Sequence, residues 1–215
     1  MAAIDLCTVA DVKAELEITS DTTRDTLIGN VITGISRTIH TMFEREFRTE
    51  TSGSATRRFQ VMDGQYVINL APYDLNASTG LTVTLHPGTA SEYALIPDTE
   101  YLLQPAEKVW TYTTIRVSPW VAQMHVGDTP RRFGVTLVDI TSSSWGFASV
   151  PEDVKRAAII SVAANIDRRL DAFAMHGNDL LDPSAGIGAQ RPPAYSIPTS
   201  ALVLLNPYRR FVGAA

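Results

Sequence analysis

The chain has 215 residues, of which 45% are hydrophobic and 19% are charged, and its formal net charge is −5. This composition is typical of a globular chain that is long enough for one large domain or for a domain with an inserted part. The net charge argues against a broad phosphate-binding surface, and no apolar run approaches the roughly 20 residues that span a bilayer. A single cysteine, Cys7, excludes an intramolecular disulfide, and we expect it to be a small buried residue beside the first helix.

Residues 1–48 are predicted to form two helices. Thr8, with Asp11 three residues on, predicts a helix start with a weak capping box, and this helix should stop near Ile18. Ser20 or Asp21 is predicted to cap a second helix that runs to about residue 47. Its apolar seam recurs at steps of three and four residues: Leu27, Ile28, Val31, Ile32, Ile35, Ile39, Met42 and Phe43. The opposite face is polar with few charges and includes Asn30, Thr33 and Arg37. Such a face is either solvated or a contact surface for another subunit.

Residues 49–148 are predicted to form an inserted, antiparallel, β-rich subdomain, because the hydrophobic period changes to two after a loop at 49–55. The runs RRFQVM and QYVINL flank Asp63-Gly64, which predicts a hairpin between them. Further strands are predicted at 81–86, 93–96, 101–103, 113–118 and 134–141, separated by turn residues. Residues 120–132 have little periodicity and are predicted to form a projecting loop.

Residues 149–176 contain the clearest helix. Ser149 can act as N-cap and Pro151 fits the first helical position, and acidic residues follow in the first turn. Between 157 and 166 only Ser161 and Asn165 are polar, so the helix is predicted to be buried on more than one side. One interpretation is a central core helix. The other is that Ser161 and Asn165 mark a second face that packs on a neighbouring subunit.

Residues 177–215 are predicted to form an extended arm that ends in a short apolar helix. The arm is rich in Gly, Pro, Asp and Ala, and the helix should begin at Thr199 or Ser200 and end before Asn206-Pro207. An apolar helix of this length either folds back on the body or docks elsewhere. The predicted fold class is therefore α+β: a bundle of two N-terminal helices and one central helix, an inserted β-rich subdomain, and a C-terminal arm.

No constellation in the sequence predicts catalysis, a metal or a cofactor. The four histidines share no ligand spacing, and there is no zinc motif, phosphate-binding loop, dinucleotide fingerprint or nucleophile elbow. We therefore expect a protein that is not an enzyme. Tryptophan and tyrosine are concentrated in the β-rich region, where they would serve a stacking surface for a sugar or nucleic acid, or the strand core. The core interpretation is favoured because no paired basic groove accompanies them.

Three stretches carry a further indication by their order. LCTVADVKAELEI and TRDTLIGNVITGISRTIHTMFEREF cover the N-terminal helices. SSSWGFASVPEDVKRAAIISVAANIDRRLDAF places Trp-Gly and Val-Pro ahead of the long helix and Arg-Arg near its end, and LLNPYRR lies close to the C-terminus. In these stretches the chain resembles the head–tail connector (adaptor) proteins of long-tailed bacteriophages, especially those of phages of actinobacteria.

The resemblance implies a structural virion protein. It implies a ring, usually twelvefold, at the head–tail interface after assembly in the host cytoplasm, with the portal protein and the stopper or tail proteins as partners. Genomic DNA would pass through the channel without sequence-specific binding, and no membrane or cofactor would be involved. Because the C-terminal arm of such proteins docks on the portal, the resemblance assigns docking to Leu204, Leu205, Pro207, Tyr208, Arg209, Arg210 and Phe211.

Ring formation in the family likewise assigns a subunit interface to Ser161, Asn165, Asn30, Thr33 and Arg37. Two alternatives stay open. The first is another neck or tail-completion protein, such as a stopper or terminator, and the second is a ligand-binding module that uses the aromatic β-rich region.

Overall fold

The computed structural model describes residues 5–18, 22–48, 54–62, 66–106, 111–121, 135–179 and 196–210, and at 135 and 168–179 it describes the backbone alone. The fold class is α+β, as predicted. The chain divides into a helical unit, Met1–Phe43 with Val150–Ala215, and a β unit, Glu44–Ser149.

The helices, in chain order, are α1 (Val9–Glu15), α2 (Asp25–Phe43), α3 (Pro119–Val121, a single turn), α4 (Glu152–Asp179) and α5 (Thr199–Leu205), and a 3₁₀ turn at Asn206–Tyr208 follows α5 directly. The strands are β1 (Ala55–Met62), β2 (Val67–Asn69), β3 (Thr82–Leu85), β4 (Tyr93–Ala94), β5 (Tyr101–Gln104), β6 (Thr114–Val117) and β7 (Val135–Ser142).

The capping box predicted at the start of α1 is confirmed. Thr8 Oγ1 accepts a hydrogen bond from Asp11 N at 3.2 Å, and the Asp11 carboxylate accepts one from Thr8 N at 2.9 Å. Two backbone donors that the first turn of a helix leaves without intrahelical partners are satisfied in this way. The helix ends at the C-cap residue Leu16.

The predicted seam of α2 is confirmed for most of its length. Six of its apolar side chains are at most 5% exposed: Ile28, Val31, Ile32, Ile35, Ile39 and Phe43. Met42, which the periodicity assigned to the same seam, is instead 51% exposed. The predicted caps Ser20 and Asp21 lie outside the described residues.

Helix α2 also ends earlier than predicted. Glu44 has a φ of +50°, in the left-handed region that terminates helices, so the helix stops at Phe43. The next residues, Arg45 and Phe47, are buried within the β unit. The end of α2 is therefore set by this backbone turn and by the burial of the residues beyond it, and not by a loss of hydrophobic periodicity.

Helix α4 is the centre of the helical unit. It contacts α1, α2 and α5, and Pro151 O accepts a hydrogen bond from Lys155 N at 2.9 Å at its start. Between 154 and 166 nine of its side chains are buried: Val154, Ala157, Ala158, Ile159, Ser161, Val162, Ala163, Asn165 and Ile166. Burial of one isoleucine or valine contributes about 1.5–3 kcal/mol, so this stretch is a principal source of stability. The prediction of a core helix buried on more than one side is confirmed.

The β unit contains two antiparallel sheets. One has the strand order β1-β7-β3-β4 and the other the order β2-β6-β5. Their inner faces share a core whose fully buried members include Leu70, Leu75, Val83, Ile115 and Ile140. The five strands that were predicted between 81 and 141 are all present, with ends that differ by at most a few residues.

The predicted hairpin around Asp63-Gly64 is wrong. Strand β1 pairs with β7, from Ala55 opposite Ser142 to Met62 opposite Val135, whereas β2 pairs with β6 in the other sheet. An eight-residue ladder with β7 provides many more hydrogen bonds than β2, which has three residues, can offer. The sequence-distant partner therefore prevails over the local turn signal. Residues 63–65 themselves lie outside the described residues.

The chain enters and leaves the β unit at neighbouring points. Phe147 N donates a hydrogen bond to Arg48 O at 2.8 Å, and the rings of Phe47 and Phe147 lie 5.2 Å apart between centroids. Both aromatic side chains are at most 3% exposed. The first and last residues of this inserted unit are thus held together by its own core.

Candidate functional site

The polar pair on α4 is covered by the C-terminal part of the same chain. Ser161 is fully buried, and its Oγ donates to Ala157 O at 2.7 Å. Asn165 is 6% exposed, and its Nδ2 donates to Ser161 O at 2.7 Å and to Ser196 O at 2.8 Å. Its Oδ1 accepts from Ser196 N at 3.3 Å. Both side chains are bonded within one chain here, and the prediction that Ser161 and Asn165 mark a face that packs on a neighbouring subunit stays a prediction.

Residues 196–210, which we call the C-terminal segment, fold back on α4. Ala201, Leu205 and Tyr208 follow one another at steps of four and three residues, and none of the three is exposed at all. This stripe, together with the backbone of Ser196 held by Asn165, attaches the segment to the helical unit. Of the two alternatives for the terminal helix, the structure shows the one in which it folds back.

This arrangement divides the residues that were assigned to portal docking. Leu205 and Tyr208 are fully buried in this conformation, so their assignment to portal docking stays a prediction that requires them to become exposed. Pro207 and Arg209 are exposed, and Leu204 and Arg210 are partly buried. Phe211 lies outside the described residues. Val203, which was not assigned, is 68% exposed on the side opposite the buried stripe.

The polar face of α2 has an accessible part and an occupied part. Asn30 and Arg37 are exposed, seven residues apart on one side of the helix. Thr33 is partly buried, and its Oγ1 donates to Asp5 Oδ1 at 3.0 Å. The prediction that this face contacts another subunit stays a prediction, with Asn30 and Arg37 as the side chains that are available for it.

Ion pairs join α1 to the start of α4. Lys155 Nζ lies 3.0 Å from Asp11 Oδ1, and the Arg156 guanidinium binds both carboxylate oxygens of Glu15. Hydrogen bonds from Thr8, and then the bond from Lys155, hold the pKa of Asp11 below its usual value. The same contact with Asp11 raises the pKa of Lys155. These ion pairs were not predicted, and their sequence signal is the four-residue spacing of the two carboxylates, Asp11 and Glu15.

Cys7 behaves as predicted. It is 6% exposed, and burial, with the nearby Asp11 and Asp5 carboxylates, raises the pKa of its thiol to about 12. A nucleophilic cysteine requires the opposite shift, toward the thiolate. Cys7 is therefore a packing residue in this conformation.

The aromatic side chains of the β unit serve mainly its core. Trp145 is 1% exposed, and its Nε1 donates to Ala55 O at 2.8 Å. The Arg57 guanidinium lies over the Tyr73 ring at 3.4 Å and over the Trp145 ring at 4.7 Å from the centroids. The cation therefore occupies a position over these two rings that a stacked sugar or base would need. Trp120 is 48% exposed, and Trp110 lies outside the described residues.

A buried polar network in the β unit was not predicted. Arg45 Nε donates to Asp74 Oδ2 at 2.8 Å and its terminal nitrogen donates to Thr111 Oγ1 at 2.8 Å, and all three residues are at most 5% exposed. Arg45 also lies over the Phe147 ring at 5.2 Å. A buried charge needs such partners, because leaving it unpaired costs several kcal/mol. The partners are 29 and 66 residues away in sequence, so no local pattern could identify them.

Neither a metal site nor a membrane span is present in the described part of the chain. No group of three or more His, Cys, Asp or Glu side chains there could hold a metal ion. No described helix is both long and apolar enough to cross a membrane.

Comparisons with known proteins give a likeness to solved structures. No protein-family model and no curated protein matches the chain. Among solved structures, a chain from the neck of an empty GTA particle, computed with C6 symmetry, aligns with 96% of this chain and 91% of its own length. The TM-score is 0.48 and the sequence identity 13%.

Proposed function

We propose that the chain is a structural protein of a phage neck, an adaptor that self-associates into a ring and connects the portal to the stopper or tail proteins. The observation that carries this proposal is the order of the three family-like stretches. They correspond to α1 with α2, to the Trp145-Gly146 turn with α4, and to the C-terminal segment.

The division of the chain into two units supports the proposal. The helical unit contains all three stretches except residues 44–47 at the end of the first and residues 142–149 just ahead of α4, and the β unit is inserted between α2 and α4. An adaptor needs separate surfaces for its own copies, for the portal above and for the tail below. The exposed side of α2, the exposed side of the C-terminal segment and the β unit are three such surfaces.

For self-association we propose the exposed side of α2, with Asn30 and Arg37 on it. The face has one charge and short polar side chains, so its desolvation on contact is less costly than that of a charge-rich face. For the portal we propose the exposed side of the C-terminal segment, with Val203, Pro207 and Arg209. These three replace Leu205 and Tyr208, which anchor the segment to its own chain.

For DNA we propose passage without tight binding. A net charge of −5 provides no general attraction for phosphate. The release of DNA through a channel requires that no contact between the channel wall and the DNA be strong. A catalytic role is not part of the proposal.

The proposal is tested by native mass measurement of the chain alone and with a purified portal. We expect a ring-sized species, at least in the presence of the portal. Truncation from residue 197 onward is a poor probe of docking, because it also removes the buried stripe and uncovers α4. The double substitution Val203→Asp with Arg209→Glu changes only exposed positions and should abolish portal binding.

A matched control for this double substitution is Arg116→Glu, which reverses an exposed arginine on β6 and should leave portal binding unchanged. Equal portal binding by the wild type and the double variant would contradict the docking surface. Binding of the wild type to stopper or tail proteins but never to the portal would instead place the chain at another position of the neck.

A further inference from the structure

The C-terminal segment is held to α4 by packing and by hydrogen bonds. Its helix α5, which carries the buried Ala201 and Leu205, packs on α4, and Asn165 binds both backbone groups of Ser196. Tyr208, in the turn that follows α5, is buried as well. We call the side of α4 that carries Asn165 the acceptor face. Every copy of the chain carries both the acceptor face and the segment that fits it.

The covalent connection between the two is much longer than this fold-back requires. Helix α4 continues 14 residues beyond Asn165 to Asp179, which is about 21 Å at 1.5 Å per residue. The chain must return over that distance before Ser196 reaches Asn165. Residues 180–195 supply 16 residues for the return, and a stretch of this length can span up to about 55 Å.

The surplus length has a physical consequence. Connections longer than about 12–15 residues are uncommon within compact domains and usually have a function where they occur. A segment that only had to cover its own α4 could follow a helix that ends soon after Asn165. With the length present here, the acceptor face of any second copy that lies within about 55 Å of Asp179 is also in reach.

We infer that in the assembled ring the C-terminal segment of each copy docks on the acceptor face of a second copy, in exchange for its own. This inference rests on the proposed self-association. The exchanged contacts are identical to those within one chain, so exchange loses no packing energy. Whether the segment docks on its own α4 or on that of a neighbour is set by the local concentration of acceptor faces. In dilute solution this concentration favours the chain's own α4, and in an assembly it allows docking on a neighbour's α4.

The exchange gives the proposed ring a link that its other surfaces do not supply. Each copy would be connected to the next by the covalent chain of residues 180–195, which leads to the docked C-terminal segment and its buried Ala201, Leu205 and Tyr208. Dissociation of one copy would then require removal of Leu205 and Tyr208 from a neighbour's core. Val203, Pro207 and Arg209 would stay on the exposed side of the exchanged segment, as they are when the segment covers its own α4.

The test is a cross-link between the two halves of the contact. The double variant Asn165→Cys with Ser196→Cys places two thiols where the Asn165 side chain now meets the Ser196 backbone. Oxidation joins the two thiols as a disulfide, and a short bis-maleimide cross-links them if a disulfide does not form. Cys7 is buried with a pKa of about 12 and does not compete. Separated monomer and ring fractions are cross-linked and compared on a denaturing gel, and the single variant Asn165→Cys is the control.

We expect only links within one chain in the dilute monomer, and a ladder of dimers and larger species in the ring fraction. Mixed ¹⁴N- and ¹⁵N-labelled chains identify links between copies as peptide pairs of mixed mass. Rings in which every link lies within one chain would overturn the exchange and leave the proposed function standing. A wild-type chain that stays monomeric at every concentration, with and without portal, would contradict self-association itself and with it the exchange.

Discussion

Replacement of Asn165 by alanine should weaken the attachment of the C-terminal segment to α4, although the buried Ala201 and Leu205 still hold it there, while the rest of the helical unit stays folded. The side chain makes two hydrogen bonds to Ser196, at 2.8 and 3.3 Å. A net contribution of about 0.5–1.5 kcal/mol for each bond gives a loss of about 2 kcal/mol. That loss raises the population of the released segment about 30-fold, since about 1.4 kcal/mol corresponds to a factor of ten in an equilibrium constant.

The assay is native-state hydrogen exchange of the amides in α5. Asn165→Ala should accelerate their exchange roughly 30-fold, while exchange in α2 changes little. Alanine is also a better helix former than asparagine by about 0.5 kcal/mol, which stabilises α4 itself. Local exchange separates this gain from the loss of the contact, whereas a global melting temperature would combine the two.

Ser161→Ala is the matched control. Ser161 is on the same helix, one turn away, and is buried to a similar degree, but its hydroxyl bonds only to Ala157 O in the described contacts. This variant should gain helix propensity in the same way without faster exchange in α5. Equal exchange of α5 in the two variants would refute the assignment of Asn165 as the clamp on the segment.

Three further predictions concern stability and reactivity. Leu205→Ala should lower the free energy of unfolding in urea by about 2–5 kcal/mol because the side chain is fully buried. The control Val203→Ala, at a side chain that is 68% exposed, should change it by less than about 0.5 kcal/mol. Equal losses in the two variants would contradict the burial of the stripe. Thr8 and Lys155 lower the pKa of Asp11 from 3.8 in the folded state. The contribution of Asp11 to stability is therefore present above pH 3.8 and is lost as the pH falls through the lower, folded pKa. In urea titrations between about pH 2 and 6, the free energy of unfolding should fall less steeply with acid for Asp11→Asn than for the wild type, and equal slopes would remove Asp11 from the acid response. Burial raises the pKa of Cys7 from 9.0 to about 12, which leaves far less thiolate at pH 8. The thiol should therefore react with iodoacetamide on the order of a thousandfold more slowly in the folded chain than in urea. Rapid labelling of the folded chain would show that Cys7 is not buried.

Features with a local cause were predictable from the sequence. The capping box of Thr8 and Asp11 lies within four residues, and the seams of α2 and α4 follow from the helical period. Each predicted strand from residue 81 onward has an alternating pattern and turn residues at its ends, and each is present. These features depend on interactions between near neighbours in the chain, which a short window of sequence contains.

Features that depend on distant partners were not predictable in the same way. The Asp63-Gly64 signal describes the preference of four residues. The true partner of β1 is β7, which lies 73 residues away in sequence at the pair Met62 and Val135 and 87 residues away at the pair Ala55 and Ser142. Periodicity likewise placed Met42 in the seam of α2, because it reports the direction of a side chain and not whether another element covers it.

The candidate site shows the same limit. The low charge of α4 between 157 and 166 correctly indicated that two sides of the helix are covered. It did not say whether the cover is a neighbouring subunit or residues 196–210, since the buried polar residues Ser161 and Asn165 are compatible with either. Only the hydrogen bonds between Asn165 and Ser196 decide between these possibilities for the single chain.

The contact between Arg48 and Phe147 at the base of the β unit affects the folding of the helices as well. While the β unit is unfolded, α2 and α4 are the ends of a loop of about 100 residues, and closing it costs about 3 kcal/mol more than closing a loop of a few residues. Once Phe147 N has bonded to Arg48 O, the helices are joined by what is effectively a short connection. Lengthening or shortening the strands and loops inside the β unit then leaves the entropic cost of bringing α2 and α4 together unchanged. The inserted part is therefore free to vary in size while the helical unit keeps its stability.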